Sequence, residues 1–248
     1  MQTKRDSNNE NMNPKNSFPL PEGGVYQPGY IRGLCLPWRE LALAQPGKKW
    51  KKGESLSFIT DCSLKNKFAF ILKGCVYTFI NFLDGSERLK LVVDENCLLF
   101  EAYCAAGDWE RDCYHIARRD LELAIFDGGL LHQPEFQSRH PFLIANAFRS
   151  ACIKYILFDA LLDGAYKNSA LQKVAWYIFK ISAMHNGSLN PRTMLSQKEI
   201  ASYLCISQAS MTRAVAFLKQ EGIIGSFRQN DVKILDLQKL EAISKDGL

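Results

Sequence analysis

The sequence has eight cysteines, at 35, 62, 75, 97, 104, 113, 152 and 205, yet no C-x-x-C and no paired Cys/His cluster. Spacing this irregular gives no structural zinc site. The thiols are expected to be reduced, and most to be small buried hydrophobes. A redox role for one or two of them stays open. Histidine is scarce: His115, His132, His140 and His185 stand far apart. A metal-dependent enzyme of cupin type therefore has no clustered ligands to use. Ser/His/Asp groupings, a Walker loop and G-x-G-x-x-G are also missing, so no catalytic residue, metal or cofactor is expected. Long apolar runs are absent as well. The longest stretch without a charge runs from Ile200 to Thr212, 13 residues rich in Ser and Thr, whereas a membrane helix needs about 20 apolar ones. The first 17 residues hold five Asn and no aliphatic run, which leaves no signal-peptide core. The expected location is the cytoplasm, with no membrane partner.

What is present suits a globular chain of two ordinary domains: 248 residues, 47% hydrophobic and 23% charged. The net charge is +5, and residues 168–248 carry 10 Lys+Arg against 6 Asp+Glu, or +4 of it. An excess gathered in the last third suggests an anionic partner there. Residues 1–30 read as a flexible arm, polar and then rich in Pro and Gly. From 31 to 137 short runs of aromatic and β-branched residues alternate with turns. Phe68–Leu72 precedes Lys73-Gly74, and Cys75–Leu83 precedes Asp84-Gly85 and then Ser86–Val93. Further strand-like pieces follow at Tyr114–Ala117 and Leu121–Phe126. Asp-Gly between such runs is a hairpin signal, and the whole predicts a compact antiparallel β domain, a barrel or roll.

The period then changes. Ile144, Phe148, Ala151, Tyr155, Phe158 and Leu162 are spaced 4, 3, 4, 3, 4, forming one apolar seam on a helix within 138–166. Leu143, Ala147, Ile153, Ile156, Leu157 and Leu161 make the helix apolar beside that seam too. One side can lie on the β domain, and the other is expected to meet a second copy of the chain. Asp163-Gly164 is expected to end the helix and mark a hinge. A final domain, 167–248, opens with a helix from about Ser169 to His185, where Ser169-x-x-Gln172 has capping-box form.

Residues 195–224 are the most informative. Ser196 and Glu199 form a second capping box, and Ile200 and Leu204 set the buried face of a short helix. Cys205-Ile206-Ser207 is a three-residue break, and Ser207 can cap the next helix. That helix buries Met211, Val215 and Leu218 and stops before Gly222. Two short helices joined this way make a helix-turn-helix. Gln208, Ala209, Thr212, Arg213 and Ala216 are left outward on the second helix. Small residues there allow close approach to a major groove, and Arg pairs bidentately with guanine as Gln does with adenine. Arg213 is the expected base reader, helped by Gln208 and Thr212. Ser196, Ser207, Ala209, Lys198 and the wing residue Arg228 complete the predicted DNA surface, with Lys198 and Arg228 as phosphate contacts. The wing itself is a β-hairpin, Ile223–Phe227 and Val232–Leu235 around Arg228–Asp231. A protein-interaction adaptor using the same unit for packing is the alternative, which salt-dependent duplex binding would separate.

Here the chain resembles the Crp/Fnr transcriptional regulators. The resemblance is strongest over 195–240, including Leu218–Ile224 and Ile234–Leu240, and extends through Lys52-Gly-Glu54, Ile71–Gly74 and Asp84–Glu87. It implies an α+β protein: an N-terminal double-stranded β-roll like those that bind cyclic nucleotides, a long dimerisation helix, and a C-terminal winged helix-turn-helix. It also implies a homodimer on a pseudo-palindromic DNA site, RNA polymerase as a partner, and a small effector. Cys205 stands at the turn, where many members have Gly. Members that bind cyclic nucleotides carry Gly-Glu for the ribose and, ten residues after the Glu, Arg-Ser for the phosphate. Here Glu101 and Arg111 keep the charged positions, while Phe100 replaces the Gly and Asp112 the Ser. A carboxylate about 4 Å from a phosphate costs on the order of 4 kcal/mol at an effective dielectric near 20, roughly three decades of affinity. Cyclic AMP is not expected to bind, and Glu101 with Arg111 can be read simply as an ion pair. Phe100, Tyr103 and Trp109 either line an apolar effector pocket or only pack the roll. Cys97, Cys104 and Cys113 in the same region keep redox sensing open, although the N-terminal cysteine cluster of iron–sulfur members is missing.

Overall fold

The computed structural model describes residues 24–56, 66–81, 85, 87–107 and 113–246. The elements of the first half are β1 (Val25–Gln27), β2 (Tyr30–Arg32), α1 (Arg39–Leu43), β3 (Gly47–Trp50), β4 (Lys67–Lys73), β5 (Cys75–Asn81), β6 (Glu87–Asp94), β7 (Leu98–Leu99), α2 (Glu101–Ala106), β8 (Cys113–Ala117), β9 (Leu121–Asp127) and α3 (Pro134–Arg139). A five-stranded sheet in the order β1-β2-β6-β5-β8 faces a four-stranded one in the order β3-β9-β4-β7. β5 and β6 pair antiparallel from Cys75↔Asp94 to Asn81↔Glu87, as the hairpin signal predicts. On the four-stranded sheet lies an aromatic cluster in which Trp38 meets Phe68 edge-on at 5.5 Å and Phe68 stacks on Phe126 at 5.1 Å. Rings packed in this way contribute beyond their buried area.

Two expected boundaries need correction. The arm does not reach residue 30, because β1 and β2 already form a hairpin and β2 runs parallel to β6. The Pro and Gly of this stretch make a turn, Pro28-Gly29, between paired Gln27 and Tyr30, with Gly29 at φ +78. Nor does Gly164 end the long helix, α4, which spans Pro141–Ala165. A Cβ on Gly164 would stand 2.9 Å from the Trp176 ring. Its role is close helix packing, and the turn falls at Tyr166–Ser169.

Leu143, Ala147, Ile153 and Leu157 of α4 are buried on the roll. By length and composition this one helix among the described residues could cross a membrane, a property that its scattered charges conceal in a search for charge-free runs. Beyond it come α5 (Ala170–Met184), α6 (Gln197–Tyr203), α7 (Gln208–Gln220), β10 (Ile224–Arg228), β11 (Asp231–Ile234) and α8 (Leu237–Asp246). Their shared core includes Tyr177, Ile178, Ile200, Met211, Leu218, Phe227 and Leu240, and it continues into the roll through Tyr30, Cys75, Leu89 and Val92.

Candidate nucleic-acid interface and roll cavity

The helix-turn-helix starts where its capping signals place it. Ser169 and Ser196 both form complete capping boxes, with Gln172 and Glu199. Ser207 caps α7 by accepting from the Ser210 N–H at 3.0 Å. The turn between α6 and α7 has Cys205 at φ +55, a left-handed conformation that a side chain adopts at a cost. α7 buries Met211, Ala214, Val215 and Leu218. At about 100° per residue, Ala209, Arg213 and Ala216 lie on the opposite stripe, and all three are exposed. Gln208 and Thr212 flank it, also exposed. The Thr212 hydroxyl donates to the Gln208 carbonyl at 3.0 Å, and the Arg213 guanidinium donates to Ser210 Oγ at 3.3 Å. Lys198 is exposed near the start of α6, and Arg228 is exposed at the wing turn opposite Asp231. Ser196 is partly buried, its oxygen committed to the cap.

The α4 seam is open in the single chain. Phe148 is 72% and Tyr155 69% exposed, and Phe158 and Leu162 are exposed too, while Ile144 and Ala151 are partly covered.

Where α4 crosses the roll, a cavity of about 370 Å³ lies between three walls. Thr78, Lys90, Cys113 and His115 come from the sheet, Tyr103 with Phe100 from the start of α2, and Ala151, Lys154, Tyr155 and Phe158 from α4. Phe100 and Tyr103, two of the five residues proposed for an effector, line it. Trp109 and Arg111, together with Asp112, lie outside the described residues. Phe100 holds a left-handed φ of +70, the conformation for which glycine is suited, and its ring meets His115 edge-on at 4.8 Å.

Glu101 is committed elsewhere. Its side chain is 2% exposed, and both carboxylate oxygens accept from Lys154 Nζ, at 2.5 and 2.7 Å. Ser150 Oγ donates to it at 2.8 Å, and Lys154 also donates to the Leu98 carbonyl at 2.8 Å. The ion pair foreseen for Glu101 thus has Lys154 as a described partner. Sequence reading missed Lys154, although a lone Lys between apolar Ile153 and Tyr155 is a signal that something on the roll side neutralises it. Lys90 was missed too. Its ammonium lies 3.9 Å from Cys113 Sγ and 5.1 Å from the centre of the Phe158 ring, and no described carboxylate pairs with it.

Burial pushes the Cys35 thiol up to about 11 and Cys75 to about 12, and raises Cys97 as well. Protonated thiols of this kind are poor nucleophiles. Among the described residues no three His, Cys, Asp or Glu side chains gather in a metal-holding group.

A β-roll joined by a long helix to a winged helix-turn-helix defines a class of DNA-binding protein. Residues 172–243 match the Crp-like helix-turn-helix domain. Among solved structures, the chain is similar to CprK complexed with OCPA, at 18% identity and a TM-score of 0.70, covering 89% of this chain and 99% of that one. It is also similar to a CooA mutant from Carboxydothermus hydrogenoformans, at 15% identity and 0.65, covering 83% and 90%. TTHA1359, a CRP/FNR-family transcriptional regulator from Thermus thermophilus, matches at 14% and 0.53, covering 82% and 100%. No curated protein matches in sequence. Residues 172–243 are thus a Crp-like helix-turn-helix domain, and the chain as a whole has the fold of these solved structures.

Proposed function

We propose that this chain is a homodimeric, sequence-specific DNA-binding regulator whose roll takes up a small apolar anion rather than cyclic AMP. The observation that carries the effector class is the cavity: apolar and aromatic walls around Lys90, a cation without a described carboxylate. Such a site suits an aryl carboxylate, with its ring against Phe100, Tyr103 and Phe158 and its charge on Lys90. Cyclic AMP suits it poorly, because Glu101 is held by Lys154 and Ser150 and a phenyl ring stands where a ribose would need close backbone approach. The open α4 seam supports dimerisation, and Tyr155 and Phe158 belong to both seam and cavity, so an occupant would touch the interface. In this reading the roll senses, residues 138–166 pair the protomers, and residues 167–248 read DNA, with RNA polymerase as the downstream partner. A thiol-based sensor at Cys97 has less support, since burial raises that thiol's pKa and keeps it protonated.

Two measurements test the reading. Binding-site selection on the unmodified protein and on Arg213→Ala should return a two-half-site motif that loses sharpness at one base pair per half-site in the variant. A bidentate guanine contact is worth about 1–3 kcal/mol of discrimination. Equal sharpness at every position would make Arg213 a backbone contact. Calorimetry with benzoate, phenylacetate and 3-phenylpropionate should show binding that Lys90→Met weakens about ten- to a hundred-fold, the range of one charge-assisted hydrogen bond. Binding that is indifferent to Lys90 would remove it as the anchor.

A further inference from the structure

Five side chains tie the DNA-binding domain to the roll, around α6 and the loop just ahead of it. Glu199, the closing residue of the Ser196 capping box, accepts with Oε2 from the Ser196 N–H at 2.7 Å. Its other oxygen, Oε1, accepts from the Tyr77 hydroxyl of β5 and pairs with Arg118, just past β8. Ser202 Oγ accepts from the Leu89 N–H of β6 at 3.0 Å. Gln27, fully buried, donates to the Arg192 carbonyl and accepts from the Met194 N–H. Behind them Gly29 leaves space for the Tyr203 ring, which a Cβ would meet at 2.9 Å.

The same two strands form the cavity wall, one residue along. Tyr77 reaches α6 while its neighbour Thr78 lines the cavity, and Leu89 reaches α6 while Lys90 and Leu91 line it. Strand alternation puts neighbours on opposite faces. The register of β5 and β6 shifts at this place, from Thr78↔Leu91 to Phe79↔Leu89, leaving Lys90 as the extra residue of a bulge. A bulge lets a strand yield locally and re-aims its side chains.

We infer that Glu199, Arg118, Tyr77 and the Leu89–Ser202 bond form a latch that holds the helix-turn-helix against the roll, and that an occupant of the cavity opens it through the β5–β6 bulge. The regulatory half rests on the cavity being the effector site. An occupant pressing on Lys90 and Leu91 turns Leu89 away from Ser202. α6 is then released to pivot about Tyr166–Ser169, which changes the spacing of two recognition helices across a dimer. The latch biases one of two domain arrangements, as coupling between sites requires.

Hydrogen exchange on the full-length protein reads the latch at the Leu89 amide, whose acceptor is across the interface. Glu199→Gln is the informative change, since Gln preserves the capping box but removes the charge facing Arg118. It should speed exchange at Leu89 about ten-fold while the Phe70 amide in the middle of β4 is unchanged. Leu91→Trp, or Val93→Phe if that variant does not fold, fills the cavity without any ligand and should speed the same amide. Unchanged exchange at Leu89 in Glu199→Gln overturns the latch. Faster exchange there but not in the cavity-filling variants overturns the link to the cavity. Failure of aryl carboxylates to bind would instead refute the effector class, and neither exchange result depends on it.

Discussion

Replacing Lys154 with Met should destabilise the protein by about 3–5 kcal/mol, the usual cost of stranding one member of a buried ion pair. The size follows from the surroundings of Glu101. Its carboxylate is shielded from water, takes both oxygens' strongest bonds from Lys154 Nζ, and would keep only the Ser150 hydroxyl. The Leu98 carbonyl would lose its donor from Lys154 in the same change. Glu101→Gln should cost less, about 1–2 kcal/mol, because Lys154 keeps Leu98 and is the more exposed partner at 19%. The double variant should recover about 2–3 kcal/mol relative to the sum of the two, since an uncharged pair leaves no bare carboxylate. Equilibrium urea denaturation of all four proteins at one fixed protomer concentration measures the cycle, the fixed concentration being needed wherever association contributes. A loss below about 1 kcal/mol for Lys154→Met, with additive effects in the double variant, would mean that water reaches Glu101 and that the pair is ornamental.

Tyr155→Glu should convert the protein to monomer without unfolding it, since the side chain is solvent-exposed in the single chain but would place an unpaired charge in the seam of a dimer. Sedimentation showing a monomeric parent protein would sink the dimer itself. Cyclic AMP should give no heat at micromolar concentrations in calorimetry, and a micromolar dissociation constant would contradict the commitment of Glu101 to Lys154. Stability should fall as the pH rises above about 9. Cys35 and Cys75, raised by burial to about 11 and 12, hold protons in the native state that the unfolded chain releases. Thermal melts in alkaline buffers that stay flat to about pH 10.5 would refute that sign.

The helix-turn-helix was legible because its signals are local: the Ser196 capping box, the three-residue break, the Ser207 cap and the glycine after α7 each act over a few positions. The β5–β6 hairpin and the α4 seam were legible for the same reason, each written as a period in consecutive residues. Features that depend on distant chain segments were not. Gly164 looks like a helix stop until Trp176 is placed against it. Phe100 hints at its left-handed backbone only through the Gly that cyclic-nucleotide-binding members carry at its place. Glu199 announces its capping role through Ser196 three residues away, but its partners Tyr77 and Arg118 are 122 and 81 positions upstream. Val25–Tyr30 reads as part of an arm because three-residue strands carry too little pattern to stand out beside Pro and Gly.

The placement of Glu199 also bears on modularity. A helix start normally travels with its domain. Here the carboxylate that begins α6 is shared with two residues of the other domain, and Gln27 grips the loop just ahead of it. A chimaera carrying residues 167–248 on a foreign roll would keep every local signal for folding. It would set Glu199 opposite foreign side chains, and its contacts with Tyr77 and Arg118 would be lost. The roll and the reader of this chain are therefore a matched pair, and changes at positions 27, 77, 118 and 199 belong together in any attempt to re-engineer it.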